Sequence, residues 1–341
     1  MAMQLLVTFA PADWDEATTS IKFLTGTNGI MIYPGMAAAL MLLYVRVGVH
    51  WPCVAGAIKR LEARLARGDY PTVNLGPQIR WVTMAFLFAS FVIEILVDTV
   101  PYCLGVIREA RFEGSSEFIR ELFFTTIPQF RNFPNAYSTA LALWCFLLRF
   151  QTKCVMVYSD LLLGTLSCVL AALFASVKER VRAGDFETMT DRDWQDIRET
   201  YNAVLDLTAA LNRLLGPIIL ISYTSGLWFI CGGILLLLAG GATEPSKQVY
   251  LFLSMVFWSV RLVLATIAMS SVFEQNKAFR RHLHAVPSAL YGYEVNRLTM
   301  QACHSEVGLT GMDFFTVTRS VLLTLVGTVA SYEVVLMQFS R

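Results

Sequence analysis

Near its C-terminus the chain reads Ser331-Tyr332-Glu333-Val334-Val335-Leu336-Met337-Gln338-Phe339, the close of an apolar run that begins near Phe314. That run is long enough for one membrane-spanning helix, which takes about 20 residues. A glutamate and a glutamine near one end of such a helix are costly in hydrocarbon, so a plain lipid anchor would not be expected to carry them. The stretch therefore predicts a membrane helix that lines a pore.

The composition extends this interpretation to the whole chain. Of 341 residues, 55% are hydrophobic and 16% are charged, and the mean hydropathy is +0.54. About a quarter of the residues of a soluble domain are charged. We therefore predict an all-α polytopic membrane protein whose residues 1–341 form one helical transmembrane domain. The net charge of +1 argues against a nucleic-acid partner, and the lipid bilayer is the expected surroundings.

Six apolar stretches are long enough to be spans. They lie near residues 28–47, 79–101, 137–173, 214–240, 249–272 and 314–339. The third is longer than a bilayer needs, so we expect its helix to project beyond the membrane into the polar stretch 178–213. Similar projections are expected for the other helices.

Basic residues predict the orientation. They are concentrated in the loops that follow the first, third and fifth spans, and such loops favour the cytoplasm. The C-terminus is then outside the cell, and so are residues 1–27. The segment Met1–Ala10 is too short to span and lacks the basic flank of a signal peptide. We therefore expect a further span upstream of this chain.

The ending resembles a known signature. It is similar to the Thr-Tyr, five mostly apolar residues, Gln-Phe motif of insect gustatory receptors, with Ser331 in place of the threonine. Just upstream, Gly311–Arg319 resembles the Phe-Phe-x-x-Thr-Arg segment of the sugar-receptor branch. Other matches recur in similar order from about residue 25: Trp51-Pro52, Glu62, Phe123–Phe133 with Pro128 and Pro134, Gly216-Pro217, Leu227–Cys231, Val286–Ser288, Glu294-Val295 and Arg297.

The resemblance implies a seven-span, ligand-gated, nonselective cation channel with a cytoplasmic N-terminus and an extracellular C-terminus. It implies a tetramer in which the last span of each subunit lines one central pore. A sugar would bind an outward-facing pocket among the earlier spans of each subunit. Helix extensions near 48–80, 174–213 and 273–313 would build a cytoplasmic anchor where subunits meet. The first span of this pattern is absent here, and homotetramer or heterotetramer stays open. The expected location is the plasma membrane of a sensory neuron.

Two stripes of the last helix could face the pore. At 3.6 residues per turn, Tyr332, Val335 and Phe339 share one stripe, while Val334 and Gln338 share another. The resemblance implies a gate at Gln338 and Phe339, with Val334 or Val335 a turn earlier, and such apolar constrictions close by dewetting. The alternative is that Gln338 meets interfacial water and Phe339 belongs to an aromatic belt.

Ionisable residues inside spans are functional candidates, because isolated charges in hydrocarbon are costly. Asp160 follows Tyr158 and Ser159, so that a carboxylate, a phenol and a hydroxyl suited to a sugar stand on adjacent positions. The alternative is that Asp160 accepts hydrogen bonds from a neighbouring helix and serves packing. Compared with the family pattern, Met156 and Val157 stand where Trp and Asn are usual, which leaves the particular sugar open.

The remaining candidates are less specific. Glu94 and Arg261 fall at depths that would allow an ion pair between spans. Asp98 lies one turn from Glu94, and of these two carboxylates Asp98 is the more plausible sugar acceptor. Further hydroxyls and ring faces come from the fourth and fifth spans: Tyr223, Ser225, Trp228 and Trp258. A Trp or Tyr near a span's end is equally an interfacial anchor.

No enzyme, metal or cofactor is predicted. The four histidines, His50, His282, His284 and His304, lack a metal-ligand spacing, and no hydrolase or nucleotide-binding motif occurs. Two other classes stay as alternatives. A G-protein-coupled chemosensory receptor would have the opposite topology, and a sugar transporter would show paired halves with broken helices.

Overall fold

The computed structural model of this chain describes residues 28–68, 70–71, 138–184, 188–238, 245–287, 291–304 and 307–339, with the single positions 84, 120 and 186. Its helices in chain order are α1 (Asn28–Arg67), α2 (Thr139–Ala183), α3 (Asp191–Leu238), α4 (Pro245–Leu283), α5 (Tyr293–His304) and α6 (Arg319–Phe339). The span predicted near 79–101 lies outside the described residues. The fold is all-helical over the described part of the chain, apart from one isolated bridge between Thr310 and Thr316.

Four of these helices, α1 to α4, are long and apolar enough to cross a bilayer. Each is longer than a span requires, since about 20 residues suffice. The apolar stretch near 137–173 lies in α2, which continues to Ala183, and the polar residues after it re-enter a helix at Asp191. The polar stretch 178–213 is therefore helical up to Ala183 and again from Asp191, and each of these two helical parts continues into an apolar part of the same helix.

Local capping sets where two of these helices begin. The hydroxyl of Ser138 accepts from the backbone N–H of Leu141 at 3.4 Å, at the start of α2. Thr190 and Asp193 cap α3 reciprocally, with Thr190 N donating to Asp193 Oδ2 at 2.9 Å and Asp193 N donating to Thr190 Oγ1 at 3.4 Å. Such pairs satisfy backbone donors that have no partner within the helix.

The segment that leads into α6 is a tight hairpin, residues 307–318, rather than helix. Val317 N donates to Leu309 O at 2.8 Å, and Met312 and Asp313 have positive φ angles of 52° and 61° at the turn. We refer to this segment as the hairpin. It corrects the predicted start of the last span near 314, because backbone groups that pair across the hairpin cannot also pair along a helix. The helix begins at Arg319.

A fully buried cluster lies where the C-terminal parts of α2 and α4 meet the N-terminal half of α3. The Tyr201 ring stacks on Phe279 at 4.8 Å between centroids and contacts Phe174 edge-on at 6.1 Å. The Tyr201 hydroxyl donates to Asn276 Oδ1 at 2.9 Å. These four side chains, which are fully buried, define what we call the junction.

Ion pairs attach the neighbouring helices to this junction. Arg198 of α3 donates to Glu294 of α5 at 2.6 Å, and both side chains are mostly buried. On the other side of α3, Arg64 of α1 contacts Asp196 and Glu199 in more exposed pairs, at 3.1 and 2.9 Å. The phenol of Tyr70 donates to Asp196 Oδ2 at 2.8 Å, and burial raises the pKa of this phenol. These contacts therefore attach α1 and α5 to α3, the helix that carries Tyr201 of the junction.

The other end of the helices has the opposite character. Large apolar side chains point away from the protein along the first half of α2 and along α4. The exposed members are Leu143, Trp144, Phe146, Leu147, Leu148, Phe150, Val249, Phe252, Leu253, Val256, Val260, Val263, Leu264 and Ile267. We call this surface the apolar shell. A soluble monomer seldom exposes so extended an apolar surface, so the shell is a surface suited to contact with hydrocarbon.

Candidate functional site

A buried ion pair joins α2 to α4 inside the membrane part of the fold. Arg261 donates to one carboxylate oxygen of Asp160, Oδ2, from both Nη2 at 2.6 Å and Nε at 3.0 Å. The other oxygen, Oδ1, accepts from the hydroxyl of Ser222 on α3 at 2.9 Å. The side chains of Arg261 and Asp160 are 2% and 9% exposed. Three helices thus meet at one carboxylate.

Aromatic rings surround the guanidinium of Arg261. Its Cζ atom lies 4.5 Å from the centroid of the Trp258 ring and 5.5 Å from that of Phe257. A desolvated cation over an aromatic face contributes about 2 kcal/mol. Trp258 is in turn stacked on Phe229 of α3, at 4.5 Å and 16°. The ring contacts therefore hold the arginine in place in addition to its ion pair.

These side chains line a small pocket with an open mouth. The enclosed space is about 10 Å³, which is room for roughly one water molecule. The lining residues are Asp160, Ser222, Gly226, Trp258, Arg261 and Leu262. A Cβ atom added at Gly226 would come within 3.2 Å of Leu262 Cδ2, so the absence of a side chain there lets α3 and α4 lie close together. The pocket combines a carboxylate, a guanidinium, a hydroxyl and an indole face.

Two of the sequence-predicted residues, Asp160 and Trp258, lie in this pocket. Tyr223 and Ser225 are buried nearby, but their hydroxyls are engaged in packing. The Tyr223 hydroxyl pairs with Thr266 Oγ1 at 2.7 Å, and Ser225 donates to the carbonyl of Ser222 at 2.9 Å. Asp160 also serves the packing role that the sequence left open, because it accepts hydrogen bonds from two other helices.

The other predicted residues lie elsewhere. Tyr158 is half exposed and packs edge-on against Tyr44, at 5.2 Å between ring centroids. Trp228 is partly buried on α3 and is not among the lining residues of the pocket. Glu94 and Asp98 lie outside the described residues, so the proposed pairing of Glu94 with Arg261 stays a prediction. The side chains of Val334, Val335, Gln338 and Phe339, all within α6, also lie outside the described part.

Three residues of the pocket were not predicted from the sequence: Ser222, Gly226 and Leu262. Ser222 and Gly226 stand four positions apart, the small-residue spacing that lets membrane helices approach closely. Trp258, Arg261 and Leu262 share one face of α4 because they are three and four positions apart. These spacings are visible in the sequence, but helix contacts were needed to show that both faces meet at Asp160.

The hairpin docks on the same helix that carries Ser222. The side-chain amide of Asn212 donates to Gly308 O at 2.9 Å and accepts from Thr310 N at 3.2 Å. One turn later, a Cβ at Gly216 would lie 3.1 Å from Met312 N, so the hairpin backbone approaches α3 closely where glycine has no side chain. Towards the pocket, the Tyr223 ring contacts Phe315 edge-on at 5.2 Å. One face of α3 therefore holds the hairpin.

The fold has counterparts among solved structures. The insect olfactory receptor OR5 from Machilis hrabei aligns with a TM-score of 0.63 and 14% identity, covering 99% of this chain and 84% of that one. A structure of the same receptor in complex with eugenol aligns with a TM-score of 0.62 and 14% identity, covering 99% of this chain and 87% of that one. The chain is thus an all-α, multi-pass membrane protein with the insect olfactory receptor fold.

The sequence identifies the family within this class. The family model described as "Trehalose receptor" matches residues 17–341. The chain therefore belongs to the trehalose receptor family, in the sugar branch of the insect gustatory receptors, as its terminal motifs predicted.

Two relatives from Drosophila melanogaster illustrate the range of similarity. The gustatory receptor for sugar taste 64f is 28% identical over 327 residues, which cover 94% of this chain and 66% of that protein. Gustatory receptor 5a for trehalose is 36% identical over 176 residues, which cover 51% of this chain and 38% of that protein. The chain thus spans just under two thirds of the length of the first relative.

Proposed function

We propose that this chain is a subunit of a sweet-taste receptor that acts as a sugar-gated, nonselective cation channel. The sugar binds in the pocket around Asp160 within each subunit, and the last helix of each subunit lines a common pore. The receptor lies in the plasma membrane of a sensory neuron, with its C-terminus and the mouth of the pocket facing outward. It works as a homotetramer or as a heterotetramer with related gustatory receptors.

The observation that carries this proposal is the pocket at Asp160. Few, convergent polar groups among apolar walls are typical of small-molecule sites. The enclosed space here holds about one water molecule, so a sugar would enter only after the helices move apart. Here the polar groups are a carboxylate, a guanidinium and a hydroxyl, and the indole of Trp258 supplies a flat apolar face. Sugars offer the complementary pattern, with hydroxyls around the ring and C–H groups on its faces. Relatives whose printed names refer to sugar taste and trehalose support the ligand class.

The contacts of α3 suggest how binding could reach the pore. Ser222 touches the pocket, the adjacent Tyr223 packs on Phe315, and Asn212 holds the hairpin. A shift of α3 on sugar binding would move the hairpin, and α6 follows it directly at Arg319. Sugar opens the channel only if it binds the open arrangement more tightly than the closed one.

The proposal also includes a pore constriction and a cytoplasmic anchor between subunits. Val334 or Val335 with Gln338 and Phe339 would form the constriction, where an apolar ring closes by dewetting. The extensions near 48–80, 174–213 and 273–313 would build the anchor between subunits. The dense packing of Phe174, Tyr201 and Phe279 favours this role, because a rigid base can hold subunits while the outer parts of the helices move.

The test is whole-cell current in cells that express the receptor, during application of mono- and disaccharides. We expect a sugar-evoked cation current in the wild type and its loss in Asp160→Ala, because that change removes the acceptor for both Arg261 and Ser222. The matched control is Asp206→Ala, which removes an exposed carboxylate from α3. Surface expression is measured for each variant.

Other outcomes would contradict the proposal in different ways. G-protein-dependent signalling without current would indicate a metabotropic receptor. Saturable sugar uptake in place of uncoupled ionic current would indicate a transporter. A full sugar-evoked current in Asp160→Ala would agree with a channel but would show that the sugar binds at another site.

A further inference from the structure

The exposed face of α1 carries a basic residue among apolar side chains. Leu42, Val45 and Val49 are 73%, 67% and 71% exposed, and Arg46 between them is exposed as well. Because α1 is long and apolar enough to cross a bilayer, this face is suited to contact with lipid. The ion pairs formed among the described residues do not include Arg46. A charge in hydrocarbon is costly, so we expect the long arginine side chain to reach an anion at the membrane surface.

Two helices place the edge of the exposed apolar surface at the same level. Asp160 marks a common reference, because Arg261 of α4 contacts it and Tyr44 of α1 bonds the residue before it in α2, at 2.5 Å. The last large apolar side chains exposed on these two helices are Trp51 on α1 and Ile267 on α4. Both lie about 10 Å further along their helices, given the helical rise per residue. The apolar surface of α1 therefore ends close to residues 49–51.

Two ring side chains stand at this edge beside Arg46. His50 is exposed one turn further along, and its Nδ1 donates to the backbone carbonyl of Arg46 at 2.9 Å. Because a carbonyl only accepts, Nδ1 carries the hydrogen, and Nε2 can donate to an anion when the ring is protonated. Trp51 is 39% exposed, and tryptophan is typical of the membrane interface. A guanidinium, an imidazole and an indole thus lie together at the level expected for lipid headgroups.

We propose that Arg46 and His50 bind the phosphate of an anionic phospholipid, whose acyl chains lie along the exposed apolar residues of the same helix. Phosphate oxygens accept paired hydrogen bonds from a guanidinium. A zwitterionic lipid would bring its own ammonium group to the same place, so a headgroup with a net negative charge is favoured. The basic loops predict that this end of α1 faces the cytoplasm, where the leaflet contains phosphatidylserine. The inference goes beyond the proposed function and does not depend on the sugar pocket.

The test is lipid binding to the full chain in detergent, measured by native mass spectrometry as phosphatidylserine or phosphatidylcholine is added. The first phosphatidylserine should bind the wild type at least about fivefold more tightly than phosphatidylcholine, which is the effect of roughly one basic residue at a membrane surface. Arg46→Gln should remove most of this preference, and Arg46→Lys should keep most of it. His50→Ala should lower phosphatidylserine affinity by about twofold, as expected for one hydrogen bond. Binding of phosphatidylcholine should stay unchanged in all variants.

Arg60→Gln is the matched control. Arg60 is exposed on the same face of α1, but it lies about 15 Å beyond His50 and therefore past the edge of the apolar surface. Neutralising it should leave the preference for phosphatidylserine as in the wild type. Size-exclusion chromatography establishes that each variant is folded.

Several results would overturn the inference. Equal affinity of the wild type for the two lipids contradicts it, even if no variant folds. A folded Arg46→Gln variant with unchanged preference also contradicts it, and so does an equal loss in Arg60→Gln, which would indicate a general attraction of lipid to the basic helix. Displacement of bound phosphatidylserine by inorganic phosphate would indicate a site for a free anion instead of a lipid. None of these results bears on the proposed sugar site, which is tested separately at Asp160.

Discussion

Two apolar segments of α2, one near its start and one that includes Leu170 and Phe174, have opposite surroundings. Near the start of the helix, Leu143 and Trp144 are 52% and 60% exposed, whereas Leu170 and Phe174 near its end are 0% exposed. Since α2 is long and apolar enough to cross a bilayer, the exposed segment is suited to contact with lipid, whereas the buried segment contacts other parts of the protein. Hydrophobicity removes a side chain from water, but it does not decide whether lipid or protein replaces the water.

The difference has an energetic consequence. Lipid chains are as apolar as leucine, so a residue of the apolar shell gains little from contact with another helix. A side chain of the junction, by contrast, fills a space of fixed shape that no lipid can enter. Truncation should therefore leave a cavity in the junction and no cavity in the shell.

The largest expected effect breaks the junction. Phe174→Ala removes a fully buried ring that contacts Tyr201, and such a change costs about 3–5 kcal/mol because of the lost contacts and the cavity. We expect a large fall in surface expression and in the melting temperature of the receptor in detergent. The measurement is thermal unfolding followed by fluorescence-detected size-exclusion chromatography.

The matched control is Phe146→Ala on the same helix. Phe146 belongs to the apolar shell and is 43% exposed, so its truncation should cost less than about 1 kcal/mol. Equal destabilisation by the two changes would show that the shell is packed against protein, and the distinction between the two ends of α2 would be lost.

A smaller effect compares two ion pairs that attach helices to the junction. The Arg198–Glu294 side chains are 11% and 17% exposed, whereas the Arg64–Glu199 side chains are 35% and 44% exposed. Double-mutant cycles should give a coupling of about 2 kcal/mol for the buried pair and less than about 1 kcal/mol for the exposed pair, because water screens the latter. High salt should weaken only the exposed pair appreciably. A larger coupling in the exposed pair would contradict this ranking.

The smallest expected effect lies at the boundary between the two regions, where Asn212 holds the hairpin. Asn212→Ala removes two hydrogen bonds to the hairpin backbone and should cost about 1–2 kcal/mol. If the hairpin transmits the movement of α3, the maximal sugar-evoked current should fall while sugar binding and surface expression stay close to wild type. Current and binding are measured on the same variant.

Thr224→Ala provides the comparison on the same helix. The Thr224 hydroxyl is exposed and donates to the carbonyl of Leu220 in α3 itself. We expect no change in current. If both variants lost current, or if neither did, the contact of Asn212 with the hairpin would have no specific role in gating.

Much of the candidate site could be recognised from the sequence, but its pairing could not. Asp160 and Arg261 were identified because each interrupts an apolar run. Depth in the membrane suggested Glu94, which lies outside the described residues, as a partner of Arg261, but it did not indicate the contact of Arg261 with Asp160 that the structure shows. Depth is a property of one helix, and it does not specify which other helix lies alongside.

The end of the chain gives a second example. Phe314, Phe315 and Val317 extend the apolar run of the last helix towards the N-terminus despite the polar residues between them, and the last span was therefore predicted to start near 314. The hairpin ends that stretch because Gly311 pairs with Phe315 across it, and α6 begins at Arg319. Hydropathy does not distinguish an apolar helix from an apolar turn that is docked on a neighbouring helix.

By itself the sequence determined the class of protein, the long apolar helices and the family, because composition, apolar length and terminal motifs are properties of single segments. Only the tertiary structure decided which helices share Asp160, which apolar faces form the junction, and which remain in the apolar shell. The physical reason is that hydrophobic burial has no direction: any apolar neighbour satisfies it. Partners are selected by close packing and by hydrogen bonds of fixed geometry, and these exist only when the helices are assembled.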